Sequence, residues 1–114
     1  MIEVKITFTK KLYRSGREVF NYKDIIIKGH SSDGTINSIK CCAGVTAITT
    51  GLINLLEGSK CSVEINKGYF HYTAYEGVEQ EVNYAINALV YQLDSISMIY
   101  PSFFKDFSWI EEKN

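Results

Sequence analysis

The first apolar residues of the chain alternate with polar ones. From Ile2 to Phe8 every second residue is apolar, which is the period of a strand that buries one face. The segment from Asp24 to Lys28 instead contains three consecutive isoleucines, a composition typical of a more deeply buried strand. The intervening segment contains Ser15 and Gly16 and predicts a connecting loop or hairpin arm. We therefore predict two strands at the start of the chain.

Two further alternating runs lie in the second half of the chain. They span residues 61–66 and 69–75 and are separated by Lys67 and Gly68. A glycine-containing pair between two such runs is typical of a tight hairpin turn. We expect a third and a fourth strand joined by this turn.

A first helix is predicted between the second and third strands. Asn37 or Ser38 is a good N-cap, and apolar residues recur at helical spacing up to Glu57, before Gly58 supplies a stop. The polar segment of residues 31–39 offers little apolar area to bury, so we expect it to be a mobile loop.

A second, amphipathic helix is predicted from Val78 to Ile96, limited by Pro101. The aromatic tail after Pro101 is compatible with a short edge strand or with a cover over the sheet, and its pattern does not decide between them. The element order is thus β-β-α-β-β-α. The predicted fold class is α/β of the two-layer α+β type, a small mixed four-stranded sheet with two helices packed on one face.

Composition and charge narrow the kind of protein. A chain of 114 residues with 46% hydrophobic content predicts one domain over residues 1–114. A net charge of −1 provides no general attraction to nucleic acid or to an anionic membrane, so we expect no direct nucleic-acid binding. The N-terminus does not resemble a signal peptide, and no apolar run is long enough to span a bilayer. We expect a cytoplasmic protein without a membrane anchor.

One local cluster of positive charge departs from this balance. The connection between the first two strands contains four basic residues within a span of eight, namely Lys10, Lys11, Arg14 and Arg17. Such a cluster is typical of a solvated hairpin tip, although it could also steer an acidic partner such as a ribosomal particle.

The cysteines indicate reduced thiols rather than a disulfide framework. There are three, an odd number, and Cys41 and Cys42 are adjacent. Adjacent residues on a helix project about 100° apart and the chain has no C-x2-C pair, which argues against a metal site. His71 lies in the middle of a predicted strand and is interpreted as an ordinary sheet residue.

The residues 29–48 are the strongest candidate for chemistry. His30 ends the second strand, a polar loop follows, and Cys42 is predicted in the first turn of the next helix. A base and a thiol would then lie near the same sheet edge, where the helix dipole favours a thiolate and unpaired N–H groups can receive an oxyanion. Asp33 and Ser38 are both candidates to orient His30. Both His30 and Cys42 also fit a purely structural role.

This segment resembles a known family. Gly29 and His30, then eleven residues, then CAGVTAI from Cys42 to Ile48, are similar to the motif of the ribosomal-processing cysteine protease family, Prp, also called YsxB-like. The element order, the length, and Tyr100-Pro101 after the last helix extend the resemblance over nearly the whole chain.

The resemblance implies a specific activity. Members of the family are cytoplasmic cysteine endopeptidases that remove the N-terminal extension of large-subunit ribosomal protein twenty-seven, cutting after phenylalanine, in support of ribosome assembly. They form homodimers and need no cofactor. Carried over to this sequence, the resemblance makes Cys42 the nucleophile, His30 the general base or ion-pair partner, and Gly29 the motif glycine.

Two other functions remain compatible with the same residues. A non-catalytic binding or assembly module on the ribosome would have the same core pattern, with His30 and Cys42 as structural residues. A thiol-dependent transferase or redox protein would share the activated cysteine but needs a resolving thiol, and Cys41 is poorly oriented for that role.

Overall fold

The computed structural model describes residues 1–30, 34–51, 56 and 58–113. Five strands and two longer helices are seen in this part of the chain, and a short 3₁₀ turn at Pro101–Phe103 joins the last helix to the last strand. In chain order the elements are β1 (Ile2–Leu12), β2 (Glu18–Lys28), α1 (Ile36–Thr50), β3 (Cys61–Asn66), β4 (Tyr69–Ala74), α2 (Gln80–Ile99) and β5 (Phe104–Glu111).

The strands form one mixed sheet in the order β3-β4-β2-β1-β5. All neighbours are antiparallel except β1 and β5, which run parallel. The prediction of a mixed α+β sheet is confirmed, but the count of four strands is wrong because the aromatic tail forms a fifth. In the pairing of β1 with β5, Val4 lies opposite Phe107 and Ile6 opposite Trp109. The aromatic residues of the tail therefore continue the apolar face of β1.

The core lies between the helices and one face of the sheet. The alternation predicted for β1 is confirmed, since its apolar residues are buried there and the polar residues between them are more exposed. Full burial of such a side chain contributes about 1.5–3 kcal/mol to folding. In the described part of the chain the buried apolar residues are Ile2, Val4, Ile6, Phe8, Tyr22, Ile25, Ile27, Cys41, Leu56, Phe70, Tyr72, Val82, Ile86, Leu89, Val90 and Leu93.

The segment between the first two predicted strands forms hairpin arms, one of the two alternatives that the sequence left open. β1 continues to Leu12 and β2 begins at Glu18, so much of the segment between the two predicted strands is paired backbone. The basic cluster lies on this hairpin, where the Nζ of Lys10 is 3.7 Å from Glu18 and 3.5 Å from Glu111. These are exposed ion pairs, which contribute little to stability.

The start and end of α1 differ from the prediction. The helix begins at Ile36 because Thr35, rather than Asn37 or Ser38, is the N-cap, and its side chain accepts a hydrogen bond of 3.2 Å from the backbone N–H of Ser38. α1 ends at Thr50, so the predicted continuation to Glu57 falls mainly on residues 52–55 and 57, which lie outside the described part.

The early start of α1 shortens the loop predicted for residues 31–39. Of residues 31–39, those from Ile36 onward are helical and residues 31–33 lie outside the described part, so the loop prediction was too long. The second predicted helix is confirmed as α2, and Pro101 follows its end. No helix among the described residues combines the length and apolarity needed to cross a membrane.

Candidate functional site

A cleft of about 330 Å³ separates α1 from the end of the β3–β4 hairpin. Both residues predicted to carry the chemistry, His30 and Cys42, line this cleft. They reach it from different elements, because His30 follows β2 and Cys42 lies on α1. The apolar part of the lining comes from Ile2, Ile27, Val45, Ile65 and Phe70.

His30 is brought to the cleft by the pairing of β2 with β4. Lys28, the last residue of β2, pairs with Tyr69, and the N–H of Gly29 donates a hydrogen bond of 2.9 Å to the carbonyl of Gly68. Gly29 has a φ of +101°, and a β-carbon at this position would overlap the carbonyl oxygen of Met1. The chain can turn from the strand to His30 in this way only with glycine at position 29.

The two adjacent cysteines have different surroundings. Cys41 is completely buried in the core, whereas Cys42 is half-buried and lines the cleft. The separation follows from the helix, since neighbouring residues point about 100° apart. Of these two thiols, Cys42 is therefore the one that faces the cleft.

The position of Cys42 within α1 corrects the expected effect of the helix. Because α1 begins at Ile36, Cys42 is its seventh residue and lies in the second turn rather than the first. The field of a helix N-terminus falls off within the first turn, and the N–H groups that lack helical partners are also confined to it. The terminus of α1 is thus not placed to act on this thiol or to receive an oxyanion beside it.

Of the two residues predicted to orient His30, Asp33 and Ser38, the structure describes only Ser38. Asp33 lies outside the described residues. Ser38 is buried, and its hydroxyl donates a hydrogen bond of 2.8 Å to the carbonyl of Thr35. Because a hydroxyl has one proton to donate, this bond assigns the Ser38 proton to the start of α1.

The other histidine lies in the sheet, as interpreted from the sequence. His71 is in β4, and its Nε2 is 2.7 Å from Asp24 Oδ1 and 3.2 Å from the hydroxyl of Thr73. Within the ranges that the structure describes, no three His, Cys, Asp or Glu side chains gather into a possible metal site.

The third cysteine is distinct from the cleft residues. Cys61 begins β3, and the pKa of its thiol is raised by burial and, to a smaller extent, by the nearby charge of Glu79. A raised pKa keeps a thiol protonated and therefore poorly nucleophilic.

Sequence reasoning missed the contribution of the β3–β4 turn. Asn66, Lys67 and Gly68 line the cleft beside His30. The sequence predicts this turn, but nothing in its local pattern links it to a histidine more than thirty residues earlier. Only the antiparallel pairing of β2 with β4 brings the two together.

The fold is similar to those of solved bacterial proteins. One is the essential ribosomal processing protease Prp from S. aureus in complex with a covalently linked product peptide, with a TM-score of 0.70, 20% identity, and coverage of 98% of this chain and 100% of that one. The same protease in complex with a substrate peptide has a TM-score of 0.68, again with 20% identity over 98% of this chain and 100% of the other. SMU.848 from Streptococcus mutans has a TM-score of 0.66 at 16% identity, covering 96% of each chain.

The sequence comparisons concern the family. No curated protein matches this sequence. A family model described as cysteine protease Prp matches residues 1–105, which is most of the chain and includes both His30 and Cys42. With the shared fold and the cleft lined by a histidine and a cysteine, this match establishes that the chain belongs to the cysteine protease Prp family.

Proposed function

We propose that this protein is a cysteine endopeptidase in which Cys42 is the nucleophile and His30 the general base. The observation that carries the proposal is that both side chains line one cleft, in a chain of the cysteine protease Prp family. We further propose that residues 1–114 act as a single domain and that catalysis needs no cofactor.

The proposed reaction uses the two residues in sequence. His30 takes the proton of the Cys42 thiol as the sulfur attacks the scissile carbonyl carbon, and it then gives that proton to the leaving amine as the C–N bond breaks. Water, with His30 as base, hydrolyses the resulting thioester and releases Cys42. In this scheme the imidazole activates the thiol, since Cys42 lies in the second turn of α1, beyond the reach of the helix N-terminus.

The lining of the cleft supports an apolar side chain next to the scissile bond. Ile2, Ile27, Ile65 and Phe70 come from four strands or strand ends and form an apolar wall beside the two reactive groups. An aromatic side chain buries a large apolar area in such a site. A volume of about 330 Å³ suits one such group. The proposed substrate has phenylalanine immediately before the scissile bond.

The physiological substrate is proposed to be the N-terminal extension of large-subunit ribosomal protein twenty-seven. The similarity of fold to a ribosomal processing protease supports this substrate class. The motif resemblance also supports a cytoplasmic location and a homodimer. A sedimentation mass near 13.0 kDa, the mass of one chain, would count against the dimer.

The nucleophile is tested with matched cysteine variants. Cys42→Ala should reduce cleavage of a phenylalanine-containing peptide to background with little change in stability, because the residue is only half-buried. Cys41→Ala is the control and should retain turnover, measured below its unfolding temperature because Cys41 is in the core. Activity in the Cys42 variant would refute the assignment.

Thiol labelling separates a protease from a binding module of the same fold. Iodoacetamide at mildly acidic pH should label Cys42 stoichiometrically while Cys41, which is buried, and Cys61, whose pKa is raised, stay unmodified. Equal and slow labelling of all three cysteines would favour the non-catalytic module.

A further inference from the structure

We propose that Gly68, in the turn between β3 and β4, is a positioning residue for the imidazole of His30. This inference rests on the proposed function, because it concerns the residue assigned there as the base. It attributes the orientation of His30 to backbone contact with this turn.

The backbone of Gly68 lies directly against the imidazole ring. If a β-carbon is built on Gly68, three ring atoms of His30, Nε2, Cε1 and Cδ2, lie within 3.0 Å of it, whereas ordinary van der Waals contact begins at 3.4 Å. The ring thus occupies space that exists only because residue 68 has no side chain.

A hydrogen bond fixes the turn relative to the histidine. The N–H of Gly29 donates to the carbonyl of Gly68 at 2.9 Å, and the next pair along the ladder is Lys28 with Tyr69. The residue that contacts the ring is therefore held in register with the residue immediately before His30. Because His30 itself is exposed, this backbone surface is important in restricting its rotamers.

The surroundings allow the position of the base to be separated from the stability of the fold. At Gly68 the obstructing atoms are the end of a side chain, which can rotate away. At Gly29 the obstructing atom is the backbone oxygen of Met1, so a substitution there would disturb the fold itself. Position 68 is thus a place where the imidazole can be displaced by one added carbon.

Displacement of the imidazole should affect the chemical step. A general base must lie within hydrogen-bond distance of the proton it removes, and an error of about 1 Å in the placement of a reacting group can reduce the rate by about 100-fold. Lys67 and Tyr69 flank Gly68 and are the other titratable side chains along the described lining of the cleft. Neither is changed by the substitution.

The test compares Gly68→Ala with Gly58→Ala. Both glycines have a left-handed backbone, with φ of +69° and +78°, but a β-carbon at Gly58 would have no other atom within 4 Å among the described neighbours. Both variants should lower the melting temperature by similar amounts. Only Gly68→Ala should lower kcat for the phenylalanine-containing peptide, by about tenfold or more, with KM changed by less than about threefold.

A double variant distinguishes positioning from a direct effect on the cleft. If Gly68 acts through the imidazole, Gly68→Ala should have no further effect on the residual turnover of His30→Ala. An equal loss in the presence and absence of His30 would overturn the proposal, as would wild-type kcat in Gly68→Ala.

The ring resonances supply a readout that does not require activity. The chain has two histidines, so the Cε1–H signal of His30 is assigned as the one lost in His30→Ala. Gly68→Ala should shift this signal and leave that of His71 in place, whereas Gly58→Ala should shift neither. An unchanged His30 signal would overturn the proposal. If Cys42→Ala still cleaves peptide, the proposed function fails, and these resonances still decide whether Gly68 positions His30.

Discussion

At the scale of single residues, two buried tyrosines have hydroxyl groups in contrasting environments. Tyr22 donates a hydrogen bond of 2.5 Å to Asn87, and its pKa is raised to about 12, mainly by burial. Burial is also the main cause of the raised pKa of Tyr72, followed by the charges of Cys61 and Glu79. The Tyr72 hydroxyl has no hydrogen-bond partner among the described residues. A buried hydroxyl without a partner loses its hydration and gains nothing in exchange.

This contrast predicts opposite effects of one substitution at the two sites. Tyr72→Phe should raise the free energy of unfolding by about 1 kcal/mol, because it removes the unpaired hydroxyl and keeps the ring. Tyr22→Phe, the control, should lower it by about 1 kcal/mol because a hydrogen bond is lost. Urea unfolding at neutral pH measures both. A destabilised Tyr72→Phe variant would contradict the interpretation.

At the scale of elements, β2 extends beyond β4, the strand that pairs with one of its two edges. β4 pairs only with Asp24–Lys28, so among the described residues no strand adjoins the first part of β2 on that side. Asn83 on α2 covers this edge. Its side-chain oxygen accepts a hydrogen bond of 3.1 Å from the N–H of Tyr22, and its amide donates one of 2.9 Å to the carbonyl of Phe20. A helix side chain thus takes the place of a neighbouring strand.

The contact between Asn83 and the edge of β2 predicts that loss of this polar side chain lowers stability substantially. Asn83→Ala should lower the free energy of unfolding by about 2 kcal/mol, because it leaves two backbone groups of β2 without partners. Gln92→Ala is the matched control, since Gln92 carries the same amide group on the same helix but is exposed, and alanine favours the helix at both sites. The control should change stability by less than about 0.5 kcal/mol, as measured by urea unfolding. Equal effects in the two variants would show that Asn83 does not support β2.

At the scale of the whole molecule, the sheet joins the two ends of the chain. β1 lies between β2 and β5, and the N–H of Glu112 donates a hydrogen bond of 2.8 Å to the carbonyl of Phe8. Trp109 on β5 contacts the ring of Phe8 edge-on, with 6.0 Å between their centroids. The last strand therefore shares its packing with the first.

This arrangement predicts cooperative unfolding of the whole chain. Trp109 is the only tryptophan, so its fluorescence reports on β5, while far-UV circular dichroism reports on all elements. If residues 1–114 form one domain, the two signals should give the same midpoint in urea. A fluorescence transition at clearly lower urea would mean that β5 unfolds separately from the rest.

The elements whose signal is local could be predicted from the sequence alone. The alternation in β1, the glycine turn between β3 and β4, and the helical period of α2 each depend on residues close together in the chain, and these elements are confirmed. The motif around His30 and Cys42 likewise indicated the family that the family model establishes.

The features that depend on residues far apart in the chain became visible only in the folded protein. The tail became β5 because its aromatic residues extend the apolar face of β1, and a strand pairing of that range has no local signal. The contact between Gly68 and His30 likewise arises because β2 pairs with β4, two strands that α1 and β3 separate in the sequence. Side-chain pattern specifies which face of an element is buried, whereas the neighbours that meet at a sheet edge are set by the packing of the complete core.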